Sequence, residues 1–96
     1  MSLTNFFRRK RIDTEAARRE HLLRTGRIAE GMIFDIANDE AGAITQIFYQ
    51  YNVNGADYES SQQLSDEQRA HQEDYAPGAH ITVRYHPHQP SNSIVV

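Results

Sequence analysis

The stretch Tyr49-Gln50-Tyr51-Asn52-Val53-Asn54-Gly55-Ala56-Asp57-Tyr58-Glu59-Ser60 decides the fold. Asn-Gly between alternating segments is the strongest short-range hairpin signal, because a type I′ turn needs positive φ at both central residues. A two-residue loop at Asn54-Gly55 fixes the register. Val53 then faces Ala56, Tyr51 faces Tyr58 and Tyr49 faces Ser60, while Asn52 faces Asp57 and Gln50 faces Glu59. Apolar residues meet apolar ones and polar residues meet polar ones. A slip of one residue would invert every side chain, so this agreement supports the pairing.

Working outward, residues 43–53 form one strand, with Ile47, Tyr49, Tyr51 and Val53 on its apolar face. Before it, residues 27–37 alternate. Ile28, Glu30, Met32, Phe34 and Ile36 make one mainly apolar face, and Ala29, Gly31, Ile33 and Asp35 the other. Gly31 interrupts this strand and marks a bulge or a close backbone approach. Asn38-Asp39-Glu40-Ala41-Gly42 is turn chemistry. After the hairpin, Ser65-Asp66-Glu67-Gln68 has capping-box spacing and predicts a short helix over about residues 66–73. His80 to Tyr85 is a fourth strand, with Ile81, Val83 and Tyr85 inward. Pro87 and Pro90 interrupt the ladder, leaving a short last strand at Ile94-Val95-Val96. At the other end, Asp13 or Thr14 caps an amphipathic helix over residues 13–25. Ile12, Ala16 and Leu23 form its stripe, Arg18, Arg19 and Arg24 lie mostly off it, and Gly26 ends it. The expected architecture is mainly β: an N-terminal helix, then a small five-stranded, mostly antiparallel, barrel-like sheet. Residues 13–96 form a single domain, preceded by a flexible basic segment over residues 1–12.

Length and charge narrow the function classes. The 96 residues suit one domain, and a β part of about seventy residues is marginal enough to need a helical cap, a partner or self-association. No cysteine is present, which excludes disulfides and thiolate metal sites. No apolar run approaches the roughly 20 residues that span a bilayer. Phe6-Phe7 is followed at once by Arg8-Arg9-Lys10-Arg11, unlike a signal peptide. These features give an expected location in the cytoplasm, or at the inner face of the membrane. The net charge of −3 divides unevenly: residues 1–27 carry eight basic and three acidic residues, and residues 28–96 carry two basic and ten acidic ones. The basic segment is a candidate contact for an anionic partner through Arg8, Arg9, Lys10 and Arg11, or a solvated face.

Gly26-Arg27-Ile28-Ala29-Glu30-Gly31 follows the basic helix. Then come Tyr49-Gln50-Tyr51-Asn52-Val53-Asn54-Gly55-Ala56-Asp57-Tyr58, Tyr75-Ala76-Pro77-Gly78-Ala79-His80-Ile81-Thr82-Val83-Arg84-Tyr85-His86-Pro87, and Pro90-Ser91-Asn92-Ser93. In order and spacing, residues 24–96 resemble bacterial domain-of-unknown-function family 3592. The resemblance implies a small β-rich domain, often set beside transmembrane helices, with no assigned activity. The chain departs from that pattern in lacking a membrane span, and in placing His86 before a proline where Asp or Asn is more usual.

Candidate site residues are sparse. His86 and His88, with His80 nearby, are candidate imidazole ligands for a metal, against a reading as surface histidines flanking prolines. Asp35, Asp39 and Glu40 gather near a turn and read as exposed rather than as an acid/base pair. Ser60-Ser61 lacks the context of a nucleophile elbow. Tyr49, Tyr51, Tyr58, Tyr75 and Tyr85 form either a stacking platform for bases or half-buried core. The net −8 of residues 28–96 repels phosphate and favours core. No cofactor, catalytic residue or small-molecule substrate is indicated. The function expected from these readings is non-enzymatic: an interaction module for a protein partner, self-association or a membrane surface. The alternatives are nucleic-acid binding led by the basic arm and a weak metal-dependent hydrolytic activity.

Overall fold

A computed structural model describes the backbone of residues 3–96 and the side chains of residues 14–96. Helix α1 (Leu3–Thr25) leads into strands β1 (Arg27–Asn38), β2 (Ile44–Val53) and β3 (Ala56–Gln63). A short helix α2 (Asp66–Arg69) and a 3-10 turn (Gln72–Tyr75) follow, then β4 (His80–His86) and β5 (Gln89–Val95). The strands form one antiparallel sheet in the order β3-β2-β1-β4-β5, curled into a nearly closed barrel.

The hairpin is as expected. Asn54 and Gly55 have φ of 52° and 90°, and all five expected pairs form, Tyr51 opposite Tyr58 among them. The two rings stack with centroids 5.7 Å apart. Asn52 reinforces the turn: its side chain accepts from the Gly55 amide at 3.0 Å and donates to Asp57 at 2.9 Å.

Strand β1 corrects the expected facing. Ile28 is 62% exposed and Phe34 43%, while Gly31 and Ile33 are buried and Ala29 packs against the core. The bulge is at Phe34, not Gly31, because Ile33 pairs with Tyr49 and Asp35 with Phe48. The extra residue reverses the alternation, so Ile36 turns inward opposite Ile47. Gly31 is instead a site of close approach. A Cβ there would lie 2.8 Å from Val83 Cγ2 and 2.9 Å from the Gln50 carbonyl oxygen.

Helix α1 starts ten residues earlier than expected. Residues 3–12 contain neither Gly nor Pro, so nothing local stops the helix before Asp13. Its buried stripe also differs. Leu22 is fully buried, whereas Ala16 and Leu23 are exposed. Arg18 faces the barrel and donates to Asn92 Oδ1 at 2.7 Å and to the Ser93 carbonyl at 3.2 Å. Ile94 alternates with inward Ser93 and Val95 yet is fully buried on the outer side, where α1 lies across β4 and β5. Gly26 does end the helix, without positive φ. Its amide donates to the Leu22 carbonyl at 2.8 Å, and a Cβ would stand 2.5 Å from that oxygen.

Strand β5 begins at Gln89, earlier than the prolines led us to expect. Pro90 is accommodated because the β4–β5 register shifts just there, between Tyr85 and His86. Strands β3 and β5 are the two sheet edges, and a side chain joins them. Gln62 accepts from the Val95 amide at 2.9 Å and donates to the Val95 carbonyl at 3.2 Å. Buried Gln68 donates to the same carbonyl at 3.2 Å and completes the expected capping box with Ser65.

The remaining core is Ile33, Ile44, Ile47, Tyr49, Tyr51, Val53, Leu64, Ile81, Val83 and Val95. Two variants test this construction by urea denaturation. Gln62→Ala leaves the buried Val95 amide without a partner and is expected to cost about 1–3 kcal/mol, whereas exposed Gln63→Ala stays within about 0.5 kcal/mol. Gly31→Ala forces its methyl against backbone and is expected to cost about 1–3 kcal/mol.

Candidate functional site

The barrel interior is occupied. Tyr49 is fully buried and its hydroxyl shares a hydrogen bond of 2.7 Å with Ser93 Oγ. Tyr51 stacks on Tyr49, Tyr58 and Tyr85, with centroids 5.9, 5.7 and 6.4 Å away, and donates to the Pro90 carbonyl. Burial pushes the Tyr51 hydroxyl above its ordinary pKa of 10.0. Tyr49, Tyr51, Tyr58 and Tyr85 are therefore packed on one another in the core, and Tyr75 packs against it, rather than forming a platform offered to bases.

The outer face is different. Pairing places His80, Met32, Gln50 and Glu59 in one row across β4, β1, β2 and β3. Beside it, Thr82 pairs with Glu30 and Asn52 with Asp57. All of these but Thr82 line an open groove of about 400 Å³ around Gly31. Its carboxylates are Glu30, Asp57 and Glu59. His80 Nδ1 lies 3.4 Å from Glu30 Oε1, with both groups exposed. None of Arg27, Arg69 and Arg84 lines the groove, and Arg84 donates instead to the Gly26 carbonyl at 3.2 Å. One step along β1 and β2, Phe34 and Phe48 meet on the same outer surface with centroids 6.5 Å apart, and Phe34 is 43% exposed. The face is thus a row of carboxylates and amides beside two aromatic rings.

The other candidates separate. His80 and His86 sit at opposite ends of β4, so His80 cannot join His86 and His88. Those two approach each other, with ring centroids 5.9 Å apart, and His21 of α1 comes to 6.1 Å from His86. His21 was not foreseen, because no local spacing links it to residue 86. Asp39 binds its own turn, accepting from the Ala41 and Ala43 amides at 2.9 Å each. Asp35 accepts from the Ile36 amide at 2.8 Å, and Glu40 is exposed. Ser61 accepts from Gln46, and Ser60 pairs with Tyr49 on the inner side of β3. His71, Glu73 and Asp74 cluster but are fully on the surface. The side chains of Arg8, Arg9, Lys10 and Arg11 lie outside the described residues. Among the described residues, no helix is long and apolar enough to cross a membrane.

These features define a small, helix-capped antiparallel barrel with a filled interior and an acidic outer groove. The family model of DUF3592, a domain of unknown function, matches residues 25–96, and the chain belongs to that family. No curated protein and no solved structure matches it significantly. The acidic row was partly legible. Gln50, Asn52, Asp57 and Glu59 share a face by alternation alone, but adding Glu30 and His80 required the β1–β4 pairing.

Tyr51 gives the site region a pH signature. A hydroxyl whose folded pKa is raised contributes stability that is complete below its unfolded value and is lost as pH rises through the folded one. Stability is expected to fall above about pH 10, the unfolded tyrosine value. The fall between pH 9.5 and 11.5 is expected to be shallower in Tyr51→Phe, measured as urea midpoints at each pH.

Proposed function

We propose that the protein is a non-enzymatic interaction module, and that its outer groove binds a basic segment of a protein partner. The observation that carries this reading is the row of Glu30, Asp57 and Glu59 in a concave surface with no lysine or arginine among its lining residues. Carboxylates held this way on one sheet face, two on β3 and one on β1 across β2, repel one another mildly. A partner's Lys or Arg relieves that repulsion, with about 0.2–1 kcal/mol per exposed pair. Such contacts set approach and orientation more than affinity. Phe34 and Phe48, beside the groove, supply apolar surface for an anchoring side chain, which is where most binding energy resides in protein interfaces. Gln50 adds an amide donor and acceptor among the acids, while Asn52 holds Asp57 in place by donating to it. The same acidic row argues against phosphate, and so against nucleic acid or an anionic membrane, as the ligand of this face.

The reading is tested with the full chain, isotope-labelled for amide spectra and titrated with a short peptide of alternating Arg and Leu. Amide shifts are expected to concentrate at Met32, Gln50, Asn52, Asp57 and Glu59. The double reversal Asp57→Lys with Glu59→Lys is expected to weaken binding at least tenfold, and Phe34→Ala several-fold. Binding indifferent to the charge reversal, or shifts centred elsewhere on the barrel, would overturn it.

A further inference from the structure

We propose that the partner segment docks as an added strand along the free edge of β3, over residues 57–61. The inference rests on the reading of the outer groove as a site for a basic segment, and adds how the backbone of that segment is held.

Strand β3 ends the sheet on one side. The two-residue turn makes Val53 and Ala56 a hydrogen-bonded pair, so the even residues of β3 exchange their amide and carbonyl bonds with β2. Leu64 keeps this phase, its amide donating to the Thr45 carbonyl at 3.1 Å. The amides and carbonyls of Asp57, Glu59 and Ser61 therefore point away from β2. No other backbone group among the described residues pairs with them, and all three residues are exposed. The bond to β5 is made further along, at Gln62. Helix α1 stands off this edge too, because an open cleft of about 670 Å³ lies between Arg18 and Arg19 on one side and Ser61 and Gln63 on the other. Residues 57–61 thus offer an unpaired edge of about 17 Å, at roughly 3.4 Å per residue.

The side chains decide which strand this edge accepts. Asp57 and Glu59 lie on the outer face and line the groove, whereas Tyr58 and Ser60 belong to the inner side and are half-buried. Asp57 accepts from Asn52 at 2.9 Å, and Glu59 has no partner among the described residues. A second copy of β3 is a poor occupant. Antiparallel pairing centred on Glu59 sets that carboxylate against its own copy, and the neighbouring register sets Asp57 against Glu59 twice. Like charges directly opposite one another destabilise a sheet, and carboxylates on an edge block this kind of pairing. A strand with Lys or Arg at alternate positions turns each of those repulsions into an attraction. Apolar residues between the basic ones then fall on the side of Tyr58. The occupant is therefore an extended segment in which basic and apolar residues alternate, held by main-chain hydrogen bonds and selected by its side chains.

The test uses the full chain, a peptide of alternating Arg and Leu, and two versions of that peptide, one N-methylated at each arginine and one at each leucine. Methylation removes an amide donor and leaves the side chains unchanged. Loss of affinity by at least tenfold is expected on one set alone: the arginine amides for an antiparallel strand, the leucine amides for a parallel one. With the unmethylated peptide at saturation, hydrogen exchange at the Asp57, Glu59 and Ser61 amides is expected to slow at least tenfold. The change at Tyr58 and Ser60, already in the ladder, is expected to be smaller. Equal binding by both methylated peptides would overturn strand addition and leave the groove reading intact. Failure of the unmethylated peptide to bind would overturn both. A doubled mass of the free chain, with the same three amides protected, would make a second copy the occupant and overturn the proposal.

Discussion

Everything in this fold depends on how the two free edges of the sheet are joined. A five-stranded sheet in the order β3-β2-β1-β4-β5 leaves one side of β3 and one side of β5 without a ladder. Unpaired edges expose backbone donors and acceptors, and a barrel that buries them at its seam cannot leave them so. Here the Gln62 side chain takes the place of a sixth pairing. Its amide group presents an acceptor and a donor with the spacing of a peptide, and it meets the amide and carbonyl of one residue, Val95. Gln68 doubles the contact and is itself held by Ser65, so the connection between β3 and β4 is tied to the same seam. A helix of only four residues has too few hydrogen bonds to be stable alone. It forms because its capping box and its buried glutamine belong to the closure.

The interior obeys a second constraint, that of volume. Tyr49 and Tyr51 are large for so narrow a barrel, and the chain compensates across the sheet. Gly31 stands directly opposite Tyr51 in the β1–β2 ladder and faces Ile81 on its other side. The missing side chain is the space that the Val83 and Ile81 side chains fill. The bulge at Phe34 then brings Ile36 inward where Gly31 and Ile33 have held the opposite phase. Without that extra residue β1 would bury either its first half or its second, but not both. The bulge also leaves Phe34 outside, beside Phe48, which is how an aromatic pair comes to lie on an acidic surface.

What was legible in the sequence follows the range of the interactions. The hairpin, its five pairs, the capping box and the inward residues of β2 and β4 are set by neighbours within a few positions, and all of them appear in the structure. The strand that failed was β1. Ile28, Met32, Phe34 and Ile36 form the more apolar alternation, and burial followed packing volume instead, with Gly31 and Ile33 inside. The stripe of α1 failed for a related reason. Arg18 is turned toward the barrel by acceptors on Asn92 and Ser93, more than seventy residues away. Nothing near Arg18 in the chain announces them. The candidate face was half legible in the same sense, since its β2–β3 half is set by the hairpin and its β1–β4 half by long-range pairing.

The filled interior also decides where recognition can take place. Small barrels that bind ligands inside need room at the mouth, and here that room is taken by four stacked tyrosines and by the Tyr51 bond to Pro90. Chemistry is therefore displaced to the outside, and the outside is not uniform. Along β3, β2 and β1 it is acidic with an aromatic border, whereas over the seam it is covered by α1. The helix thus does more than complete a thin core. By occupying the seam side it leaves the opposite sheet face as the broad surface open to a partner, and it brings His21 to the end of β4. The proposed groove follows from that one placement, because α1 leaves it uncovered.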